Sequence, residues 1–194
     1  MQGLHSTVPA RAVPVFGATP PPIIGYSDAM FDPQRPVRLG WILADPCSGH
    51  VKGRTGVVSE SILQQWLPRE TEITIAEAFA GLAMVYRDSD FLKGRDLVWF
   101  VDNEAAASAL IRGAARPEDL NEIASQVHLL MTINKTRVWV EWIDSHSNVA
   151  DGLSREGLAC ALANKLCSEL EEVDLEPWMT PERVEAALEE LRSI

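Results

Sequence analysis

Ile23–Leu43 reads IIGYSDAMFDPQRPVRLGWIL. Ile23–Met30 is a β-rich apolar run, Asp32–Pro36 is a cluster of turn residues, and from Val37 onward Val37, Leu39, Trp41 and Leu43 alternate with small or polar neighbours. Period-2 alternation on either side of a Pro-containing break predicts a β-hairpin with one face of its second strand in the core. RTGVVSES, residues 54–61, follows as a third, shorter strand, with DPCSGHVKG between as a loop. Three antiparallel strands therefore precede any helix. Asp28 interrupts the first of them, and aspartate has low strand propensity.

The period changes at Glu72. Ile73, Ala76, Ala80, Ala83 and Met84 recur at helical spacing up to about Arg87, with Thr71 or Thr74 as N-cap. Glu77 lies in line with Ile73, Ala80, Gly81 and Met84, which puts its carboxylate on the face that packs against the sheet. KGRD ends the helix, and LVWFV, residues 97–101, is a buried central strand that closes on Asp102. NEAAASALIRG is a short helix stopped by Gly113, Pro117 opens another through Ile133, and RVWVEWI is a fifth strand with Val138, Val140 and Trp142 on one face. Asn148 opens a further helix containing Asp151. Strands alternating with helices in this second half argue for a mixed α/β sheet with helices on its faces.

Asp28, Glu77, Asp102 and Asp151 all sit inside or at the end of apolar runs, where a carboxylate is paired or holds a cation. Two of them have a local explanation to weigh: an arginine partner for Glu77, and for Asp151 a capping box with Asn148. Asp28 and Asp102 have no basic residue within a few positions, so a shared cation is the simplest account of both. Magnesium takes oxygen ligands, often a few carboxylates with substrate phosphates, and two such ions clamp the attacking and leaving oxygens in phosphodiester cleavage.

YSDA on the first strand, I-x-x-x-E-x-x-x-A on the first long helix, FVDN ending the fourth strand and SHSNVADGLSR before the last helix together resemble the ribonuclease H family. The likeness is nearest to the ribonuclease H domains that accompany reverse transcriptase in retroelements. It covers about Ile23 to Leu162, and no single motif carries it; the order of the four on these elements does. The resemblance implies a ribonuclease H-like fold: a five-stranded mixed sheet of order 3-2-1-4-5, strand 2 antiparallel, with helices on both faces. It implies metal-dependent endonucleolytic hydrolysis of the RNA strand of an RNA–DNA hybrid with two Mg2+ ions, for which Mn2+ substitutes. Asp28 looks like the carboxylate bridging both ions, Glu77 and Asp102 like ligands of the ion at the leaving group, and Asp151 like a ligand of the ion that activates water. Asn103 and Asn148 are candidate substrate contacts, with a plain helix cap the preferred reading of Asn148. His146 stands five residues before Asp151, where cellular members carry a histidine about ten before; it is either a catalytic auxiliary or an ordinary loop histidine. The basic, tryptophan-containing handle of the family is reduced to IRGAARPED, leaving Arg112 and Arg116 as candidate substrate contacts.

Composition limits the partners. The net charge is −11; residues 1–70 carry 6 Lys/Arg against 5 Asp/Glu, residues 71–155 carry 8 against 13, and residues 156–194 carry 3 against 10. A stand-alone nucleic-acid binder carries a basic stripe; this chain has none, which agrees with a reverse transcriptase polymerase domain gripping the hybrid beside it. The organisation expected is a Pro-rich lead-in over residues 1–22, a ribonuclease H-like domain over 23–165, and an acidic helical extension over 166–194 in which Thr180 caps a helix striped by Val184, Leu188 and Leu191. No apolar run reaches membrane-spanning length and no secretory signal is evident, so an intracellular location is expected. Cys47, Cys160 and Cys167 match no thiolate metal site and read as small core residues; Trp41, Trp99, Trp139 and Trp142, on strands, read as core packing rather than base-stacking residues, while Trp66 and Trp178 fit either reading. Met30, two residues after Asp28, disfavours a proofreading exonuclease, and an aspartate rather than a glutamate after Asn148 disfavours a transposase. The alternative from another class is a catalytically idle ribonuclease H-like module that connects domains or binds a protein.

Overall fold

The hairpin forms as its alternation requires. In the computed structural model, which describes residues 20–69, 72–175 and 189, β1 (Ile23–Asp32) and β2 (Arg35–Asp45) pair antiparallel with Asp28 opposite Gly40. Val37, Leu39, Trp41 and Leu43 are all buried. β3 (His50–Val57) pairs antiparallel with β2. It begins four residues before the predicted strand and ends sooner, because Val58 turns into the core and Ser59 starts a one-turn helix, α1 (Glu60–Leu63).

α2 (Ile73–Arg87) carries Glu77, and every residue from Ile75 to Val85 is buried because the helix lies between the sheet and two further helices. A short α3 (Ser89–Leu92) leads to β4 (Asp96–Val101), which pairs parallel with β1. Ser27 stands opposite Val101, so Asp28 and Asp102 follow one another out of the same register. α4 (Glu104–Arg112), ended by Gly113 in the left-handed conformation, and α5 (Glu118–Ile133) cover α2, and β5 (Arg137–Trp142) pairs parallel with β4. Successive residues of β2 point to opposite faces. Trp41 enters the main core beneath α2, whereas Gly40 lies under α6 (Asp151–Glu156) on the other face.

Two glycines set these distances. A Cβ on Gly81 of α2 would sit 2.1 Å from the Trp99 indole, and one on Gly40 would sit 2.6 Å from both Leu153 Cβ and the Ser154 nitrogen. The first lets a large indole fill the interior between α2 and β4; the second brings α6 down onto the hairpin. The indole N–H groups of Trp99 and Trp41 donate to Ser27 Oγ and Asp88 Oδ2, each at 2.9 Å.

Among the described residues the sheet has six strands, in the order β5-β4-β1-β2-β3-β6, rather than five. The sixth, β6 (Glu169–Glu172), follows α7 (Ala161–Leu166) and runs parallel to β3. It falls in the acidic segment expected to be helical. Arg54 of β3, 3 % exposed, pairs with Glu169 and Glu171 of this strand, and Arg38 of β2 with Glu172 at 2.9 Å. Val173 and Leu175 then enter the core. The expected C-terminal helix with Val184, Leu188 and Leu191, together with Trp178, Thr71 and residues 1–19 of the lead-in, lies outside the described residues.

Two expectations about burial fail. Trp139 and Trp142 are 66 % and 51 % exposed, unlike Trp41 and Trp99. Val138 and Val140 face the core, but nothing among the described residues covers the opposite face of β5 at Trp139, and Trp142 sits at the strand's end. Cys160 is buried, but Cys47 is exposed between β2 and β3. Trp66, buried, packs edge-on against Phe79. Among the described residues no helix is long and apolar enough to cross a membrane.

Candidate metal centre and nucleic-acid groove

Three elements deliver one carboxylate each to a single point. Asp28 comes from the middle of β1, Asp102 from the end of β4 and Glu77 from the inner face of α2; one oxygen of each lies within 4.8 Å of the other two. The helix spacing that put Glu77 toward the sheet therefore puts it toward Asp28 and Asp102. Its Oε1 accepts the Ala29 backbone N–H at 3.2 Å, and Oε2 is buried with no partner among the described residues. Asp102 Oδ1 is likewise buried and unpartnered.

Asp28 is held from α6 and the loop before it. Ser154 Oγ hydrogen-bonds its Oδ2, and Asn148 Nδ2 donates to its Oδ1 at 3.3 Å and to the Ser27 carbonyl at 3.0 Å. Asn148 is thus not the helix cap: α6 starts at Asp151, and Asn148 Oδ1 accepts only the Ala150 N–H of the turn before it. Both Asn148 and Ser154 are buried. Burial, with the charges of Asp102 and Asp151 adding to it, pushes Asp28 up to about 7 against the pull of Ser154. Burial also raises Glu77 well above the usual carboxylate range, reinforced by Asp28 and Asp102. Desolvated like charges resist ionisation together unless a cation joins them. Clustered oxygen donors, two of them bare and buried, suit a hard divalent cation such as Mg2+ or Mn2+.

Asp151 stands apart from this trio. Its charge reaches Asp28 and Glu77, but its Oδ1 accepts from Arg155 Nε at 2.6 Å, one helical turn on. The capping-box role does not appear; the i,i+4 pair takes its place. His146 is exposed on a 3-10 turn (Ser145–Ser147) beside Asn148 and Asp151, its backbone N–H bonded to Asp144 Oδ1. Asn103 caps α4 by accepting the Ala106 N–H at 2.9 Å.

From Asp102 a depression lined by Asn103, Ala105, Ser108 and Trp142 runs into a groove of about 700 Å³ that shares Thr74, Ala105 and Ser108 with it. Arg112 and Arg116 line this groove, as does Arg69, which the sequence reading passed over. Arg69 is anchored by Asp119, whose carboxylate burial would raise but which the Arg69 side chain and the Leu67 and Leu120 backbone N–H groups bring below the usual range. Ser154 and Arg155 were also passed over; D-x-x-S-R at helical spacing from Asp151 was the available signal.

No protein-family profile matches the chain, and no curated protein does. Solved structures do match. Ribonuclease H1 of the halophilic archaeon Halobacterium salinarum superposes with a TM-score of 0.56 at 20 % identity, covering 71 % of this chain and 97 % of that one. The N-terminal ribonuclease H domain of a Mycobacterium tuberculosis protein gives 0.56 at 16 % identity, covering 74 % and 96 %. A ribonuclease H1 isolated from compost by a metagenomic approach gives 0.53 at 19 %, covering 73 % and 98 %. The chain has the ribonuclease H fold.

Proposed function

We propose that this protein is a divalent-cation-dependent nuclease of the ribonuclease H family that hydrolyses the RNA strand of RNA–DNA hybrids, as the ribonuclease H domain of a retroelement reverse transcriptase. The observation that carries the nuclease reading is the convergence of Asp28, Glu77 and Asp102 with buried, unpartnered oxygens on the latter two. The retroelement context rests on the closing phrase Asn148–Arg155, and on an acidic chain whose few groove arginines fit a hybrid held jointly with a polymerase domain. Asp28, Glu77 and Asp102, with Asp151 beside them, are the ligands for two Mg2+ ions. When bound, the cations polarise the phosphate and stabilise charge on the attacking and leaving oxygens. The protein's own part is positional. Ser154 and Asn148 fix the Asp28 carboxylate, the Ala29 N–H fixes Glu77, and burial keeps water from competing for the bare oxygens. Arg112, Arg116 and Arg69 hold backbone phosphates along the groove, Asn103 lies at its junction with the cup, and His146 is a candidate for proton traffic at the rim.

The test is cleavage of a labelled hybrid with Mg2+ or Mn2+, by the chain alone and fused to a polymerase domain. Asp102→Asn is expected to reduce cleavage roughly 10²- to 10³-fold or more in either context. The ion pair that occupies Asp151 favours a second reading, an idle module that connects domains. Wild type and Asp102→Asn equally inert in both contexts would establish it.

A further inference from the structure

Arg155 belongs to no role described above. Its contact with Asp151 uses Nε alone. A guanidinium carries five N–H donors, and the two terminal NH2 groups of Arg155 have no partner among the described residues. The side chain is 62 % exposed. A free planar fork therefore projects beside the carboxylate cup, on the helix whose Ser154 touches Asp28.

Asp151 is the one acid of the four whose carboxylate is paired with a basic side chain among the described residues, and exposed pairs of this kind are weak. A divalent cation that takes Asp151 through Oδ1 competes with the guanidinium there. Once displaced, Arg155 keeps its charge, lies within one helical turn of the site, and presents the geometry that matches phosphate bidentately.

We propose that Arg155 binds a backbone phosphate of the nucleic acid next to the cleavage site, and that Asp151 holds it in reserve until a divalent cation takes that carboxylate. The idea rests on the nuclease reading. Two variants of the full chain test it. Arg155→Met removes the charge, and Arg155→Lys keeps the charge without the fork. Calorimetric titration with Mn2+ reads the competition: Arg155→Met is expected to bind the ion about two- to fivefold more tightly, as loss of a weak competing pair implies. Binding of a labelled hybrid in Ca2+, followed by anisotropy across a salt series, reads the phosphate contact. Loss of one contact lowers the slope of log K against log salt by about 0.9, so Arg155→Met is expected to show that drop and Arg155→Lys to restore the wild-type slope. An unchanged slope in Arg155→Met, or unchanged Mn2+ affinity, overturns the proposal while leaving the nuclease reading in place. A wild-type chain that binds no hybrid in any salt, alone or fused to a polymerase domain, overturns both.

Discussion

A carboxylate in an apolar strand is costly unless something meets it, and the residues meeting Asp28 come from more than a hundred positions away. Ser154 and Asn148 reach it because Gly40 lets α6 rest on β2. The space that Gly40 leaves is therefore part of the site. Gly40→Ala puts a methyl group into the Leu153–Ser154 backbone, and overpacking of this sort costs about 1–3 kcal/mol. The variant is expected to remain folded by circular dichroism, to unfold at lower denaturant, and to cleave hybrid at least tenfold more slowly. Loss of stability with full cleavage would show that α6 shifts without carrying Ser154 away from Asp28. The placement of Glu77 and Asp102 is legible at this scale, since helix spacing and a strand end each locate one carboxylate. The dual hydrogen bonding of Asn148 was not: an asparagine before a helix looks like a cap from local sequence, and only the hairpin beneath it supplies Asp28 and Ser27 as better partners.

Elements built on strong local periodicity were readable, and those held by distant partners were not. The alternation of β2, the helical spacing of α2 and the apolar run of β4 are each specified within about ten residues. β6 carries the sequence ELEE, with no apolar alternation. It is a strand because Arg38, Arg54 and Arg87 wait for its glutamates and because Val173 and Leu175 just beyond it fill the core. The exposed Trp139 makes the converse point. Alternation says which residues share a face, but not whether anything covers it. If β6 and its continuation belong to the folding unit, Leu175→Ala, at a side chain 1 % exposed, costs about 2–5 kcal/mol. Urea denaturation followed by tryptophan fluorescence measures this, and a cost under about 0.5 kcal/mol would place the segment outside the cooperative unit.

For the molecule as a whole, the acid cluster and the peripheral ion pairs act at opposite ends of the pH scale. Asp28 is raised to about 7 when folded, against about 3.9 in an unfolded chain. Between those values the folded state holds a proton the unfolded state has released, so metal-free stability falls as pH rises through that window, by roughly 1.4 kcal/mol per pH unit for each such proton. Glu77, raised in the same direction, adds to the trend. Asp45 behaves oppositely. The Arg95 hydrogen bond holds it well below the usual carboxylate range, so its contribution is present above the unfolded value and is lost only in strong acid. Thermal unfolding without divalent cation is therefore expected to show lower stability at pH 8 than at pH 5. Added Mg2+ is expected to raise the midpoint markedly at pH 8 and little at pH 5. Equal Mg2+ effects at both values would mean that the cluster does not bind the ion through these carboxylates.

The brevity and composition of β6 carry a last consequence. An outermost strand leaves amides and carbonyls open to a neighbouring chain, and such rows invite aggregation unless they are short or charged. Among the described residues, four residues, three of them glutamate, end the sheet on that flank. The same glutamates that clasp the arginines within the molecule thus also discourage foreign strands from extending it.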